Sequence, residues 1–108
     1  MQRLPYSRFL RAVEAMAKNV KAYDVDEIYG IPRGGLVPAV YLSHKTGLPL
    51  GDGVGRRCLI VDDIADSGET LQPYAGYVVF TICYNKKSLV EPDFWVYETS
   101  EWVVFPWE

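Results

Sequence analysis

The densest group of chemically active side chains lies between Leu59 and Thr70, in the sequence Leu-Ile-Val-Asp-Asp-Ile-Ala-Asp-Ser-Gly-Glu-Thr. Asp62 and Asp63 follow an apolar run, and burying two adjacent carboxylates costs free energy unless they meet a cation or hydroxyl groups. Neighbouring residues of a strand point to opposite faces. The pair therefore suits two hydroxyls of a sugar, or a metal-bound sugar, better than direct chelation of one ion by both.

The residues after the acid pair, Asp66 to Thr70, have the composition of a phosphate-binding loop. They supply two hydroxyl side chains, a glycine and the expected start of a helix, which together form a cradle for a dianionic phosphate. A capping turn with solvated acids would explain each feature separately but leaves their combination unexplained.

A second glycine-containing loop, Pro32-Arg33-Gly34-Gly35, stands between an apolar run and a helical pattern. Gly34 and Gly35 lack side chains, so backbone amides can approach an anion at the start of the following helix. Arg33 adds a forked cation that suits phosphate. An ordinary strand-to-helix turn with a solvent-exposed arginine is the alternative for this tetrapeptide.

Two helical patterns and four apolar runs position these loops. Apolar residues at three- and four-residue steps predict a helix from Ser7, as N-cap, to about Ala22, and a second from Leu36 to Lys45, ended by Gly47. Pro38 is tolerated because it falls in the first turn. The predicted strands are Ile28–Ile31, Leu59–Val61, Tyr77–Cys83 and Phe94–Tyr97.

Strands that alternate with helical segments predict βαβ units and parallel pairing. The sequence therefore predicts a single domain, 1–108, with a small α/β parallel sheet of Rossmann-like type. The residues from Pro49 to Arg57 form a connector, and Asp66 to Tyr74 can hold only a short helix before Pro73 and Gly76 interrupt it. Ligands of such sheets bind at the carboxyl ends of the strands, where both loops fall.

Composition excludes several classes of protein. The chain has 108 residues, 49% hydrophobic and 23% charged, with a net charge of -3, so no global positive field attracts nucleic acid or an anionic membrane. The N-terminus lacks the apolar core of a signal peptide, and we expect a cytoplasmic protein.

Cys58 and Cys83 are predicted to lie about 15 Å apart as reduced thiols. We expect no role for His44, and packing roles for the tyrosines.

The motif Cys58 to Thr70 resembles the signature of the type I phosphoribosyltransferases: four apolar residues, two acids, then a loop ending in Thr or Ser, Gly, any residue and Thr. The segment Gly30 to Ala39 resembles the pyrophosphate loop of the bacterial and archaeal purine members, which act on xanthine, guanine and hypoxanthine. The tail Trp102 to Glu108 is similar to the segment that closes over the base in that branch.

The resemblance implies a phosphoribosyltransferase of purine salvage that uses phosphoribosyl pyrophosphate (PRPP) with Mg²⁺, transfers ribose 5-phosphate to a nucleobase, a 6-oxopurine in this branch, and releases pyrophosphate. Arg33, Gly34 and Gly35 would face pyrophosphate. Asp62 and Asp63 would hold the ribose hydroxyls and contact the metal indirectly, through those hydroxyls or water. The residues that would wrap the 5-phosphate are Asp66, Ser67, Gly68, Glu69 and Thr70.

The resemblance gives Asp66 a second, catalytic role as the carboxylate beside the base nitrogen that loses its proton. Lys86 or Lys87 resembles the lysine that reads an exocyclic purine oxygen, although paired lysines after a strand are also typical of a solvated turn. Trp102, with Val103, resembles the aromatic stack on the base. A tryptophan in this position is also typical of a core or dimer contact.

The chain departs from the family pattern in one place. Relatives usually carry an extra strand and a long mobile loop before the acid-pair strand, and Gly47 to Arg57 is too short for both. Two alternatives therefore stand beside a low-activity, homodimeric enzyme. One is a non-catalytic module of the same fold that binds PRPP or nucleotides. The other is a receiver-like phosphoacceptor domain, which the cradle after the acids disfavours.

Overall fold

The computed structural model describes all residues, 1–108, and is built on a four-stranded parallel sheet. The strands lie in the order β2-β3-β4-β5, and a separate pair joins β1 to β6. The predicted small α/β parallel sheet is confirmed. The strands are β1 (Gln2–Arg3), β2 (Glu27–Gly30), β3 (Cys58–Ala65), β4 (Val78–Tyr84), β5 (Phe94–Glu98) and β6 (Val103–Val104).

Two helices, α1 (Tyr6–Val20) and α2 (Leu36–Thr46), cover one face of the sheet. The prediction that Ser7 is the N-cap of α1 is wrong. The helix begins at Tyr6 and Pro5 is its N-cap, because the carbonyl of Pro5, whose backbone is extended, accepts hydrogen bonds from the amides of Arg8 and Phe9. Gly47 ends α2 in the left-handed conformation, φ 79°, as predicted.

The opposite face of the sheet has a much thinner cover. Cys58, Ile60 and Val79 form a small core there, against which only a loop and half-buried tyrosines pack. The predicted short helix after the acid pair is a single 3₁₀ turn, Gln72–Tyr74. Gly68 (φ 87°) and Gly76 (φ 93°) hold left-handed conformations on either side of this turn, and these stop an α-helix from extending.

Strand β3 is longer than predicted, so Asp62 and Asp63 lie inside it rather than after its end. The ladder with β4 continues through Asp62↔Thr81 to Ala65↔Tyr84. Main-chain pairing therefore fixes the backbone of the acid pair. Strand β4 lies between β3 and β5 and is therefore an inner strand of the sheet. The Lys86-Lys87 pair follows this inner strand rather than the last strand, β5.

The C-terminal tail is tied to the N-terminus. Strand β6 pairs with β1 in parallel, and the Trp107 ring packs edge-on against Phe9 of α1 and stacks on Phe105. Strands of two residues carry too little pattern to be predicted. Their pairing makes the tail a fixed wall beside the carboxyl end of β3.

Both cysteines are buried free thiols, as predicted. They belong to different cores, Cys58 on the thinly covered face and Cys83 on the helical face. Burial raises the pKa of Cys58 to about 11 and that of Cys83 to about 12, so both remain neutral. None of the helices has the length and apolar character needed to cross a membrane.

Candidate functional site

The two glycine-containing loops meet at the carboxyl ends of β2 and β3. Gly35 lies against the carbonyl of Val61, and the Ile31 amide bonds to that same carbonyl at 2.9 Å. Gly34 lies against the Asp63 carboxylate so closely that an added Cβ would overlap it. The missing side chains of this loop therefore allow it to pack directly on the acid pair. The Pro32–Arg33 peptide bond in the loop is cis.

The acid pair is held by its own backbone and has no cationic partner. Asp62 Oδ1 accepts from the Asp63 amide and Asp63 Oδ1 from the Ile64 amide, each at 2.8 Å. Asp62 is 7% exposed and neither residue forms an ion pair. Burial, together with the neighbouring Asp63 charge, raises the pKa of Asp62 to about 8, and burial also raises the pKa of Asp63.

The loop after β3 presents main-chain donors to a cleft of about 260 Å³. The amides of Asp66, Ser67, Gly68 and Thr70 donate to no protein acceptor. The Glu69 amide donates to the Ser67 hydroxyl oxygen at 3.3 Å. A turn, not the predicted helix N-terminus, aims these amides. The cleft is lined by Pro32, Gly34, Asp62, Asp63, Ile64, Asp66, Ser67, Gly68, Thr70 and Leu71.

Both acids line this one cleft. Asp63 also lines two further clefts. One, of about 740 Å³, runs past the exposed Arg33 to Trp107 and Glu108. Asp63 thus lies where three elements meet: the glycine loop (32–35), the loop of unpaired amides after β3 (66–70, named the amide loop) and the C-terminal tail (102–108).

The third cleft, of about 90 Å³, lies between the acid strand and the tail. Its walls include Asp63, Asp66, Trp102 and Val103. The Trp102 ring is 68% exposed and stands at the rim. The structure therefore brings the predicted base-stacking residues next to the predicted catalytic acid.

Four predicted site residues do not line any of these clefts. Lys86 pairs with Glu98 at 3.5 Å, Lys87 forms no ion pair, and both are exposed in the turn after β4. Glu69 points to solvent at the outer side of the amide loop. Buried Gly35 supports the loop from behind instead of facing the cleft.

Sequence reasoning missed three contributors. Trp107 and Glu108 line the wide cleft, and Glu108 Oε1 accepts from the Phe105 amide at 2.8 Å, which closes the end of the tail. Asn85 bonds to Asp66 from the neighbouring strand. A polar residue directly after an apolar strand was the available signal for Asn85, whereas the tail residues depend on the β1–β6 pairing.

The donor set at the acid pair fits Mg²⁺, which prefers carboxylate and phosphate oxygens and keeps several waters. The chain has no group of three or more metal-ligating side chains. A buried carboxylate and a half-buried one without a cationic partner would gain from a cation, and one or two carboxylates with substrate oxygens are what Mg²⁺ commonly uses. The residues present fit a metal that arrives with its ligand.

Comparison with known proteins gives a consistent result, although no family model matches the chain. A xanthine-guanine phosphoribosyltransferase from Gluconobacter oxydans is 30% identical, over 75% of this chain and 67% of that protein. The matched region has 113 aligned positions but contains only about 81 residues of this chain, which is 75% of 108. About 32 of these positions are therefore occupied by a residue of the relative and by none of this chain. The relative thus carries extra residues inside the matched region.

Solved structures agree with this match. A purine phosphoribosyltransferase from Pyrococcus horikoshii superposes with a TM-score of 0.90 and 33% identity, covering 99% of this chain and 93% of that one. A protein from Neisseria gonorrhoeae with bound ppGpp shares the fold, with a TM-score of 0.81 and 16% identity over 99% of this chain and 89% of that one. The superposition extends over 99% of this chain, and together with the sequence identity it shows that the chain belongs to the type I phosphoribosyltransferase family.

Proposed function

We propose that this protein binds PRPP with Mg²⁺ and transfers its ribose 5-phosphate to a ring nitrogen of a 6-oxopurine, releasing pyrophosphate. One observation carries the proposal. Asp63 stands where the glycine loop, the loop of unpaired amides and the aromatic tail meet, and these three elements suit pyrophosphate, 5-phosphate and base respectively.

The 5-phosphate is bound by the loop from Asp66 to Thr70. Its free amides supply donors to a dianion without a lysine or arginine, as an anion-binding nest does. The hydroxyls of Ser67 and Thr70 add donors, and Glu69 takes part through its amide, which donates to Ser67 Oγ at 3.3 Å, rather than through its carboxylate. Binding thus depends mainly on backbone geometry, which Gly68 makes possible through its φ of 87°.

Asp62 and Asp63 accept hydrogen bonds from the two ribose hydroxyls and hold Mg²⁺ indirectly, through those hydroxyls or water. Arg33 and the free amides of Arg33 and Gly34 face the pyrophosphate. Bound Mg²⁺ supplies positive charge that offsets the developing charge of the leaving pyrophosphate. Gly35, which has no side chain, allows the glycine loop to stay close to β3 while the loop contacts the pyrophosphate.

The reaction separates charge at the anomeric carbon, and the ribose becomes oxocarbenium-like as pyrophosphate leaves. The protein accelerates it by neutralising the leaving group and by holding the nucleophilic nitrogen in place. Asp66 lies between the amide loop and the tail cleft, where its carboxylate takes the proton that the base nitrogen loses.

The base lies in the tail cleft, against Trp102 and the main chain of Val103. Lys87 is the better candidate for an exocyclic oxygen, since Lys86 is engaged by Glu98, and Lys87 must swing in when the base binds. The enzyme acts in purine salvage in the cytoplasm as a homodimer, whose second copy covers apolar surface that the small sheet leaves exposed.

The test is turnover by the purified full chain. Pyrophosphate release is measured with PRPP, Mg²⁺ and guanine, hypoxanthine or xanthine in turn. We expect Mg²⁺-dependent release with at least one base at below about 1 s⁻¹, under the typical enzyme value of about 10 s⁻¹. The short connector leaves the leaving group in a high dielectric, which weakens each charge interaction.

A second candidate function is a sensor that binds PRPP or a nucleotide without transfer. The short connector favours it, and the ppGpp in the Neisseria gonorrhoeae structure is an example of a phosphorylated guanine nucleotide held by this fold. Tight binding of PRPP, GMP or ppGpp with no turnover of any base would favour the sensor over the enzyme.

A further inference from the structure

The turn after β4, residues 85–90, supports the amide loop from behind. The Leu89 amide donates to the Ser67 carbonyl at 2.8 Å, and an added Cβ at Gly68 would meet Ser88 Oγ at 2.6 Å. The turn and the loop therefore pack without a gap. Asn85 is the first residue of this turn and is 9% exposed.

Two main-chain bonds fix the position of Asn85. Its amide donates to the Ala65 carbonyl at 2.9 Å, which extends the β3–β4 ladder by one residue, and its carbonyl accepts from Ser88 at 2.8 Å. Since Ala65 is the residue before Asp66, the ladder sets Asn85 directly beside the predicted catalytic acid.

The Asn85 carboxamide has one consistent orientation. Its Oδ1 accepts from the Lys87 amide at 3.0 Å, and its Nδ2 donates to Asp66 Oδ1 at 3.1 Å. A flipped amide would set Nδ2 against an N–H group and Oδ1 against a carboxylate, which is unfavourable on both sides. The side chain thus presents a donor to the side-chain oxygen at position 66.

The bond to Asp66 is not needed to form the turn. The Ser88 amide and the Lys87 amide already close it on Asn85. Asp66 itself is exposed and forms no ion pair, so without Asn85 its carboxylate would rotate freely. Asn85 holds Oδ1, no protein group binds Oδ2, and Asp66 lines two of the clefts.

We propose that Asn85 is a positioning residue that holds the Asp66 carboxylate in the orientation needed to receive the proton of the base. The inference rests on the proposed function of Asp66. It also explains a buried carboxamide at the end of a strand, where an apolar side chain would otherwise fill the space at no cost in unpaired donors.

The test is a double-mutant cycle on the full chain. Asn85→Leu removes the donor, Asn85→Asp replaces it with a repelling carboxylate of the same shape, and each is made with Asp66 and with Asp66→Asn. With Asp66 present, we expect kcat to fall about 10- to 100-fold, as for the loss of a hydrogen bond to a charged group, and KM for PRPP to change less than about twofold.

With Asp66→Asn, the same Asn85 substitutions should change kcat less than about twofold, because the group they position is gone. Asn19→Leu serves as the control, since Asn19 donates only to Ala15 within α1 and should leave kcat unchanged. The side-chain amide NMR signals of Asn85 should also shift in Asp66→Asn. Thermal unfolding of every variant verifies the fold.

Equal loss of kcat with and without the Asp66 carboxylate would overturn the positioning role and make Asn85 structural. Unchanged kcat in both Asn85 variants, with an active parent, would overturn this inference alone. A parent chain that releases no pyrophosphate with any base would overturn the proposed transfer reaction and this inference with it.

Discussion

The Asp63 carboxylate lies against the Gly34 backbone with no room for even one methyl group between them. Contact at this distance joins the glycine loop and the acid pair, so a ligand that touches one also touches the other. The same carboxylate borders the cleft beside Trp102. The relationship between these two residues explains why the three predicted parts of the site lie around one point.

Gly34→Ala should therefore disrupt the site without disrupting the fold. The new Cβ must displace either the loop or the Asp63 carboxylate, and we expect PRPP affinity to fall at least about 10-fold, which corresponds to about 1.4 kcal/mol. Isothermal titration calorimetry measures it. Gly55→Ala is the control, because its Cβ meets only the end of the flexible Glu27 side chain, at 2.7 Å. Equal affinities of Gly34→Ala and the parent would contradict the junction described above.

Thr70→Val should weaken PRPP binding by removing a hydroxyl donor from the amide loop. The loss of a hydrogen bond to a charged group costs about 1.5 to 3 kcal/mol, so Kd should rise about 10- to 150-fold. Thr46→Val makes the same chemical change at the end of α2, where the hydroxyl bonds to Leu42, and should leave Kd unchanged. A Thr70→Val variant that binds PRPP like the parent would remove the hydroxyl from the phosphate site.

Asp66→Asn should separate binding from transfer. The amide side chain keeps the shape of the loop but cannot accept the base proton, so PRPP affinity should stay within about threefold while the transfer rate falls by about 10² to 10⁴. Calorimetry and single-turnover kinetics on one preparation give the two values. Equal transfer rates would reduce Asp66 to a turn residue.

The acid pair should make the stability of the metal-free protein depend on pH. Burial, with the Asp63 charge, raises the pKa of Asp62 to about 8, so the folded state binds this proton more tightly than the unfolded state does. The free energy of unfolding therefore falls as pH rises from about 4, the usual pKa of an aspartate, through 8.

Asp62→Asn cannot ionise and should lose much of that dependence. Between pH 5 and pH 8 in EDTA, the fall in Tm should be smaller than in the parent by about 4 °C or more, which corresponds to about 1 kcal/mol for a chain of this size. Asp52→Asn, in the exposed connector, is the control and should follow the parent. Parallel Tm curves for Asp62→Asn and the parent would contradict the burial of a titrating acid pair.

The site was predictable where its determinants are local in the sequence. The run from Leu59 to Thr70 carries an apolar strand, two acids and a small-residue loop in consecutive positions, and the structure brings them into one cleft. The parallel sheet followed from the spacing of apolar runs. Asn85 and Asp66 are 19 residues apart, so their contact depends on the β3–β4 register, which no local pattern carries.

The differences in the fold have equally specific causes. The short helix expected between Asp66 and Tyr74 is reduced to one 3₁₀ turn because glycines in left-handed conformations stand at positions 68 and 76, a property that φ angles reveal and composition only suggests. Helix α1 begins at Tyr6 because the Pro5 carbonyl is its first acceptor. The β1–β6 pair rests on two residues from each end of the chain, too few for any periodicity.

The most direct test of the account is a calorimetric titration of the 108-residue chain with PRPP, with Mg²⁺ and then with EDTA in its place. The account predicts one site per chain, with affinity that falls at least about 10-fold when Mg²⁺ is removed, since the buried acid pair then lacks a cation. Absence of PRPP binding in the presence of Mg²⁺, by a protein whose fold is verified by circular dichroism, would contradict it.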